Sequence, residues 1–142
     1  MYQGNFSFHA ADLDFKLENP IEVQAWLEKC IVNEGFIPGD ISFVFTSDES
    51  LLEMNQKYLN HDSYTDVIGF DYSEDKTVSG DIYISIERVR DNALKYSANS
   101  LDELHRVMLH GILHFCGYTD KDTDDKAVMT GREDYCLSLR AF

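Results

Sequence analysis

Met108-Leu109-His110-Gly111-Ile112-Leu113-His114-Phe115-Cys116-Gly117-Tyr118-Thr119-Asp120 is the one stretch of the chain whose spacing of histidines and aspartate could support a reaction. Residues four apart on an α-helix differ by about 40° around its axis, so His110 and His114 project from one face toward one point. Gly117 predicts the end of that helix, because glycine readily takes the left-handed conformation that closes a last turn. Asp120 then lies close enough in sequence for the chain to return to the helix end.

Two imidazoles and one carboxylate are a ligand set for a divalent transition metal, zinc first, and they leave a fourth position for water. A lone histidine is more often an ordinary core or surface residue, but this spacing favours a metal site at His110, His114 and Asp120. Cys116 is a second soft donor, yet on a helix it points about 200° away from His114. We therefore expect one zinc ion, with Cys116 as a small buried hydrophobic residue.

The composition predicts one soluble domain that covers residues 1–142. The chain has 142 residues, of which 44% are apolar, enough for a core without disulfides or other cross-links. Its three cysteines include no CxxC pair, which indicates a reducing compartment. The N-terminus lacks the pattern of a signal peptide, and no apolar run approaches the roughly twenty residues that span a bilayer. A cytoplasmic location is the expectation.

The charge balance argues against a general nucleic-acid binder. Twelve Lys and Arg against 26 Asp and Glu give a formal net charge of -14, which repels phosphate backbones at long range. Four basic residues nevertheless fall in one middle stretch: Arg88, Arg90, Lys95 and Arg106. We hypothesise that they make a locally basic face near the metal.

Periodicity predicts strands and helices in alternation. The expected strands, each rich in β-branched or aromatic residues, are 6–10, 13–17, 41–45, 65–72 and 82–86. The expected helices start after capping or turn residues and cover about 20–34, 48–59, 87–97, 101–116 and 122–139. A turn is expected at Pro38-Gly39-Asp40, and the strands at 65–72 and 82–86 are expected to pair antiparallel. The predicted class is α+β (α/β-like), with a small mixed sheet packed with helices and the metal site at the C-terminal end of a central helix.

The expected chemistry is hydrolysis, because zinc with an open position activates water and polarises a substrate oxygen. Proteases with the HExxH motif carry a general base directly after the first histidine, but that residue is Gly111 here. Candidate catalytic residues elsewhere are Asp66 and Asp81 at strand ends and Glu103 on the predicted helix that carries His110 and His114, called the metal helix below. Each is more often a structural hydrogen-bonding group, so the catalytic residue stays open. We expect Thr65, Asp66 and Asp81 to lie near the metal helix.

The segment from His110 to Asp120 resembles the HGxLHxxGYxH signature of the YbeY family, metal-dependent endoribonucleases of ribosomal RNA maturation. Further matches to that family occur in order along the chain: Asn55, Tyr58, Thr65–Phe70, Gly80–Ile82, Met129 and Glu133. Two positions depart from the family pattern. Asp120 stands where most members have a third metal histidine, and Leu59 stands where an arginine follows the motif tyrosine.

The resemblance implies a zinc-dependent, single-strand-specific endoribonuclease, with ribosomal RNA and ribosomal components as partners. Two alternatives are open. One is a ribosome-associated binding factor with a structural zinc, and the other is a metallohydrolase of a different substrate. An open fourth coordination position would distinguish a catalytic site from a closed structural one.

Overall fold

A four-stranded mixed sheet organises the chain in this computed structural model, which describes residues 4–59 and 65–142. The strands within these ranges are β1 (Asn5–Ala10), β2 (Ile37–Thr46), β3 (Val67–Asp71) and β4 (Thr77–Ser85). Their order is β1-β2-β4-β3, with β1, β2 and β4 parallel and β3 antiparallel to β4. The predicted antiparallel pair is therefore confirmed, and β3 lies at one edge of the sheet.

Helices pack on both faces of the sheet. Those in the described ranges are α1 (Pro20–Asn33), α2 (Asp48–Leu59), α3 (Ile86–Lys95), α4 (Ser100–Phe115) and α5 (Thr123–Leu137). One continuous buried cluster joins the inward face of the sheet to α1, α4 and α5, with Phe43, Ile82, Leu27, Met108 and Cys136 among its members. The predicted α+β class is confirmed. No helix in the described part of the chain could span a membrane.

Glycines allow α4 to approach the sheet closely. A Cβ atom at Gly111 would lie 3.0 Å from the Ile82 side chain, and one at Gly80 would lie 2.6 Å from the Phe115 ring. Gly69, on the neighbouring strand, faces the same ring. The helix that carries both histidines therefore lies directly on β3 and β4.

The opposite face of the sheet carries α2. Side chains alternate along a strand, so Phe70 and Tyr83 point away from α4 when Gly69 and Ile82 point toward it. Tyr58 of α2 packs edge-on against Phe70 at 5.9 Å between ring centroids, and Phe70 contacts Tyr83 at 5.8 Å in the same way. The C-terminal end of α2 is thereby fixed beside the edge strand β3.

Two expectations about the first part of the chain are wrong. Residues 13–17 are not a strand, because Asp12 takes a left-handed backbone conformation and turns the chain, while its carboxylate accepts hydrogen bonds from Thr46 and Ser47. The expected turn at residues 38–40 lies inside β2 instead. There the register shifts between Pro38 and Ile41, so the turn-forming residues make a bulge.

The start of α4 also differs by one residue from the expected capping box. Asn99 is the cap, and its side-chain oxygen accepts from the backbone N–H of Leu101 at 2.8 Å and of Asp102 at 3.3 Å. Ser100, the expected cap, is the first helical residue. The location of the helix start was thus predicted correctly, but its capping residue was not.

Candidate metal centre

The last turn of α4 ends in a Schellman motif, as the glycine at 117 predicted. Gly117 has a φ of 100°, its N–H donates to the carbonyl of His114 at 3.0 Å, and the N–H of Tyr118 donates to the carbonyl of Leu113 at 3.1 Å. This reversal brings the carbonyl of Tyr118 beside the imidazole of His114. The chain then returns across the end of the helix toward Asp120.

The three residues expected to bind metal converge on one point. His110 Nε2 and His114 Nε2 are 3.0 Å apart, and Asp120 Oδ2 lies 3.2 Å from the first and 3.6 Å from the second. One ligand atom from each of the three residues lies within 4.8 Å of the other two. The described part of the chain offers no fourth His, Cys, Asp or Glu to this group, and Cys116 is outside it.

Hydrogen bonds on the far side of each ring orient the imidazoles. His110 Nδ1 lies 2.6 Å from Glu133 Oε2, and His114 Nδ1 lies 3.0 Å from the carbonyl of Tyr118. Both partners are acceptors, so each Nδ1 carries the proton and donates it. In the neutral rings, both Nε2 lone pairs then face one another and a carboxylate. This donor set fits a divalent transition metal, whose charge would balance the three converging lone pairs.

An ion-pair network lies behind His110, with the buried carboxylate of Glu133 at its centre. Glu133 is 7% exposed at its side chain, and its second oxygen accepts from Arg106 at 2.8 Å. Arg106 also donates to Asp134 at 2.6 Å. Burial lowers the pKa of His110, but the hydrogen bond and charge of Glu133 outweigh this effect, so its pKa is raised. Glu133 therefore makes the imidazole of His110 a more basic donor.

The triad opens into a cleft of about 370 Å³ between β3, α4 and the end of α2. Three carboxylates line it, those of Asp66, Asp71 and Asp120, and the described lining residues include no Lys or Arg. The expected basic face is absent from this lining. Arg106 is paired with Glu133 and Asp134, while Arg88 is paired with Asp48 at 2.9 Å. Arg90 lines a different cavity, and the Lys95 ammonium lies 5.4 Å from the Tyr96 ring.

The candidate catalytic residues occupy three different positions. Asp66 lines the cleft together with Thr65, as expected, and burial raises its pKa. Glu103 lies on α4 outside the cleft lining, and its pKa is raised by burial and by the charge of Asp66.

Asp81 contradicts the expectation that it lies near the metal helix. It pairs with Phe70 in the sheet register and alternates with Ile82, which faces α4. Its side chain therefore points to the opposite face of the sheet.

The roles of several supporting residues were not found by sequence reasoning. Arg106 and Glu133 form an ion pair between α4 and α5, and only the family resemblance pointed to Glu133. Tyr118 lies within the motif, but nothing in the sequence showed that its carbonyl oxygen would accept a hydrogen bond from His114. Glu34, which accepts a hydrogen bond from the Tyr118 hydroxyl at 2.7 Å, is 84 residues away in sequence and carries no local signal.

A mixed sheet, a helix presenting two histidines, and a donor triad open to a cleft define a small α+β protein with a candidate metal-binding triad. The model of the family Endoribonuclease YbeY matches residues 8–140. The chain therefore belongs to the YbeY family, and the resemblance noted in the sequence is confirmed.

Curated relatives agree over nearly the full length. Endoribonuclease YbeY of Flavobacterium psychrophilum is 47% identical over 128 residues, which cover 90% of this chain and 91% of the relative. Endoribonuclease YbeY of Cytophaga hutchinsonii is 44% identical over 143 residues and covers 100% of both chains. A Thermotoga maritima protein solved in solution has a similar fold, with a TM-score of 0.65 at 21% identity over 94% of this chain and 87% of that chain.

Proposed function

We propose that the protein is a single-domain, zinc-dependent endoribonuclease that cleaves unpaired RNA and acts in ribosomal RNA maturation in the cytoplasm. The observation that carries the proposal is the open triad of His110, His114 and Asp120 in a chain of the endoribonuclease YbeY family. Family membership supports the nuclease class, and the donor set supports the metal. Ribosomal RNA as the substrate follows from the family resemblance.

His110, His114 and Asp120 would hold the ion. When bound, zinc supplies positive charge for a phosphodiester and activates water. The protein's own groups keep the donors in place, because Glu133 and the carbonyl of Tyr118 fix the ring orientation and tautomer of the two histidines.

Asp66 is the best placed of the three catalytic candidates. It lines the cleft beside His110, and its raised pKa brings it closer to the range in which a carboxylate accepts a proton efficiently. We propose that it takes a proton from the attacking oxygen. Glu103 lies outside the cleft lining and Asp81 points to the other face of the sheet, so both are weaker candidates.

The acidic lining of the cleft favours unpaired RNA over a duplex. Recognition of a duplex depends on basic contacts to phosphates along both strands, and the described lining contains no such residues. A flexible single strand can place one phosphodiester in the cleft without further phosphate contacts nearby.

The two alternatives are weaker for different reasons. A structural zinc site has four protein ligands, whereas the described residues supply three and the triad faces a cleft. A metallohydrolase of another substrate would fit the same donor set, but the relatives that match this chain along its length are named endoribonucleases.

Metal analysis of the purified protein, paired with RNA cleavage assays, tests the proposal. We expect one zinc per chain and endonucleolytic cleavage of single-stranded RNA that stops on chelation and returns with zinc. Structured RNA should be cleaved only in its unpaired segments, and Asp66→Asn should lower turnover while zinc stays bound. Bound zinc without cleavage of either RNA would contradict the nuclease proposal and favour the binding factor.

A further inference from the structure

Tyr118 connects the metal-binding helix to a distant part of the fold. Its carbonyl oxygen accepts a hydrogen bond from Nδ1 of His114 at 3.0 Å, while its hydroxyl donates to Glu34 Oε2 at 2.7 Å. Its backbone N–H also closes the last turn of α4. One residue thus fixes the orientation of a metal-binding histidine and anchors the start of the loop that leads to Asp120.

Glu34 lies just past the end of α1 and is buried, with 6% of its side chain exposed. Its second carboxylate oxygen accepts from Arg132 of α5, at 2.8 Å from Nε and 2.6 Å from the terminal nitrogen. The hydrogen-bonded carboxylate therefore ties three elements together: α1, α5 and the loop between α4 and α5. None of Glu34, Tyr118 and Arg132 lines the cleft.

The loop needs this support because Asp120 is weakly fixed by its own packing. The Asp120 side chain is 43% exposed, so its position depends on the backbone that carries it. The preceding residue, Thr119, is anchored to α5 by a hydrogen bond to Asp125 at 2.6 Å. Tyr118 supplies the second anchor through Glu34, and metal sites tolerate only small displacements of their ligands.

We propose that Glu34 is a positioning residue of the metal centre, acting through the hydroxyl of Tyr118 and supported by Arg132. This inference rests on the proposed metal-binding role of His110, His114 and Asp120. Glu34 does not touch the metal donors. Glu34 holds the backbone of Tyr118 in the position where the Tyr118 carbonyl orients His114 and the following residues place Asp120 beside the two imidazoles. Loss of Glu34 should therefore weaken metal binding without removing a ligand.

Two conservative variants and their combination test the proposal. Tyr118→Phe removes one hydroxyl, and Glu34→Gln keeps the shape of the side chain but removes its charge. Zinc affinity, measured by competition with a chromophoric chelator, should fall about 10-fold in each variant, as is typical for loss of a partner behind a metal ligand. The double variant should bind zinc no more weakly than the weaker single one, because both changes act on the same contact between Tyr118 and Glu34. In cobalt-substituted protein, the visible absorption bands should shift in both variants.

Asp48→Asn is the matched control. Asp48 also carries a largely buried carboxylate that joins a hydroxyl and an arginine, since it accepts from Ser85 at 2.6 Å and from Arg88 at 2.9 Å. It lies in the first turn of α2 and does not line the cleft. This variant should lose stability but keep the zinc affinity and the cobalt spectrum of the unchanged protein.

The outcomes are distinguishable. If Tyr118→Phe and Glu34→Gln bind zinc within twofold of the unchanged protein, with the same cobalt spectrum, Glu34 is only a structural residue and the inference is wrong. If Glu34→Gln does not fold, Tyr118→Phe alone decides, because it leaves the Glu34–Arg132 ion pair in place. If the unchanged protein binds no zinc, the proposed metal centre itself is wrong.

Discussion

Asp120 determines the charge of the candidate metal centre. With Zn²⁺, two neutral imidazoles and one carboxylate give a net charge of +1, against +2 for three imidazoles. Because Asp120 is one of three donors, Asp120→Ala should lower zinc affinity by more than the ~10- to 100-fold typical of an outer partner. Equilibrium competition against a chelator measures this change.

Asp122→Ala is the control for that experiment. Asp122 caps α5 by accepting a hydrogen bond from the N–H of Asp125 at 2.8 Å. The Asp122→Ala variant should therefore be about 1 kcal/mol less stable but should bind zinc as tightly as the unchanged protein. Full zinc retention by Asp120→Ala would rule out the ligand assignment. Asp120→His should keep the metal and move the pH dependence of hydrolysis to lower pH, since a more positive centre makes a bound water more acidic.

Leu59 lies at the mouth of the cleft, where the family pattern has an arginine. It is the last residue of α2, is 44% exposed and lines the cleft. Leu59→Arg would place a guanidinium among the carboxylates, and we expect it to bind single-stranded RNA more tightly. The dependence of affinity on salt should also become steeper, by the slope that about one additional phosphate contact contributes. Affinity titrations at several salt concentrations measure both. Leu59→Gln supplies length without charge, and an equal effect in the two variants would show that charge is not the cause.

At the scale of elements, the close approach of α4 to the sheet depends on small residues in the strands. A Cβ at Gly80 would clash with the carbonyl oxygen of Phe70 and would lie 2.6 Å from the ring of Phe115. Because the first neighbour is backbone, Gly80→Ala should destabilise the protein by roughly 1–3 kcal/mol. Urea unfolding followed by circular dichroism measures the loss.

Gly131→Ala is the opposite case. Gly131 lies inside α5, and the position that a Cβ would take there is open space, so alanine should raise the free energy of unfolding by about 0.5–1 kcal/mol. Equal destabilisation by both substitutions would show that the crowding of a Cβ at Gly80 is not the cause.

Helix α4, which carries His110 and His114, could be predicted from the sequence because its determinants are local. Helical periodicity, the His110–His114 spacing and the Gly117 stop all fall within a few residues of one another. Sheet order is set by contacts distant in sequence, and so β1 was not predicted to lie beside β2. The expectation for Asp81 was wrong because a single residue of strand register decides which face a side chain takes. Glu34 was not found because its partners, Tyr118 and Arg132, are 84 and 98 residues away.

At the scale of the whole molecule, a buried histidine links stability to pH. His105 is 1% exposed, and its Nδ1 accepts from Arg140 at 2.9 Å. Burial and the positive charge of Arg140 lower its pKa to about 4. The folded chain therefore keeps this ring neutral, whereas the unfolded chain protonates it below pH ~6.5.

Stability should consequently fall as pH decreases from about 6.5 to about 4, because the unfolded state binds the extra proton in this range. The full difference amounts to up to about 3 kcal/mol. Glutamine cannot be protonated in this pH range. Between pH 7 and 4.5, the His105→Gln variant should therefore lose less stability than the unchanged protein, by much of this ~3 kcal/mol. Urea unfolding of both zinc-free proteins measures it, and an equal loss in the two would contradict a depressed pKa at His105.

The net charge of -14 and the carboxylate-lined cleft set how RNA can approach. Long-range repulsion acts on every phosphate, and the described lining offers no Lys or Arg in compensation, so we expect attraction to come mainly from the proposed metal. We expect chelation to weaken RNA affinity at least ~10-fold, and the zinc-loaded protein to show a log–log salt slope of only about -1 to -2. Replacing Arg90 and Lys95 together by alanine should change neither quantity, because neither side chain lines the cleft. If the unchanged protein shows a steep dependence of RNA affinity on salt, and the double variant shows a weaker one, RNA binds instead on the α3 side of the molecule.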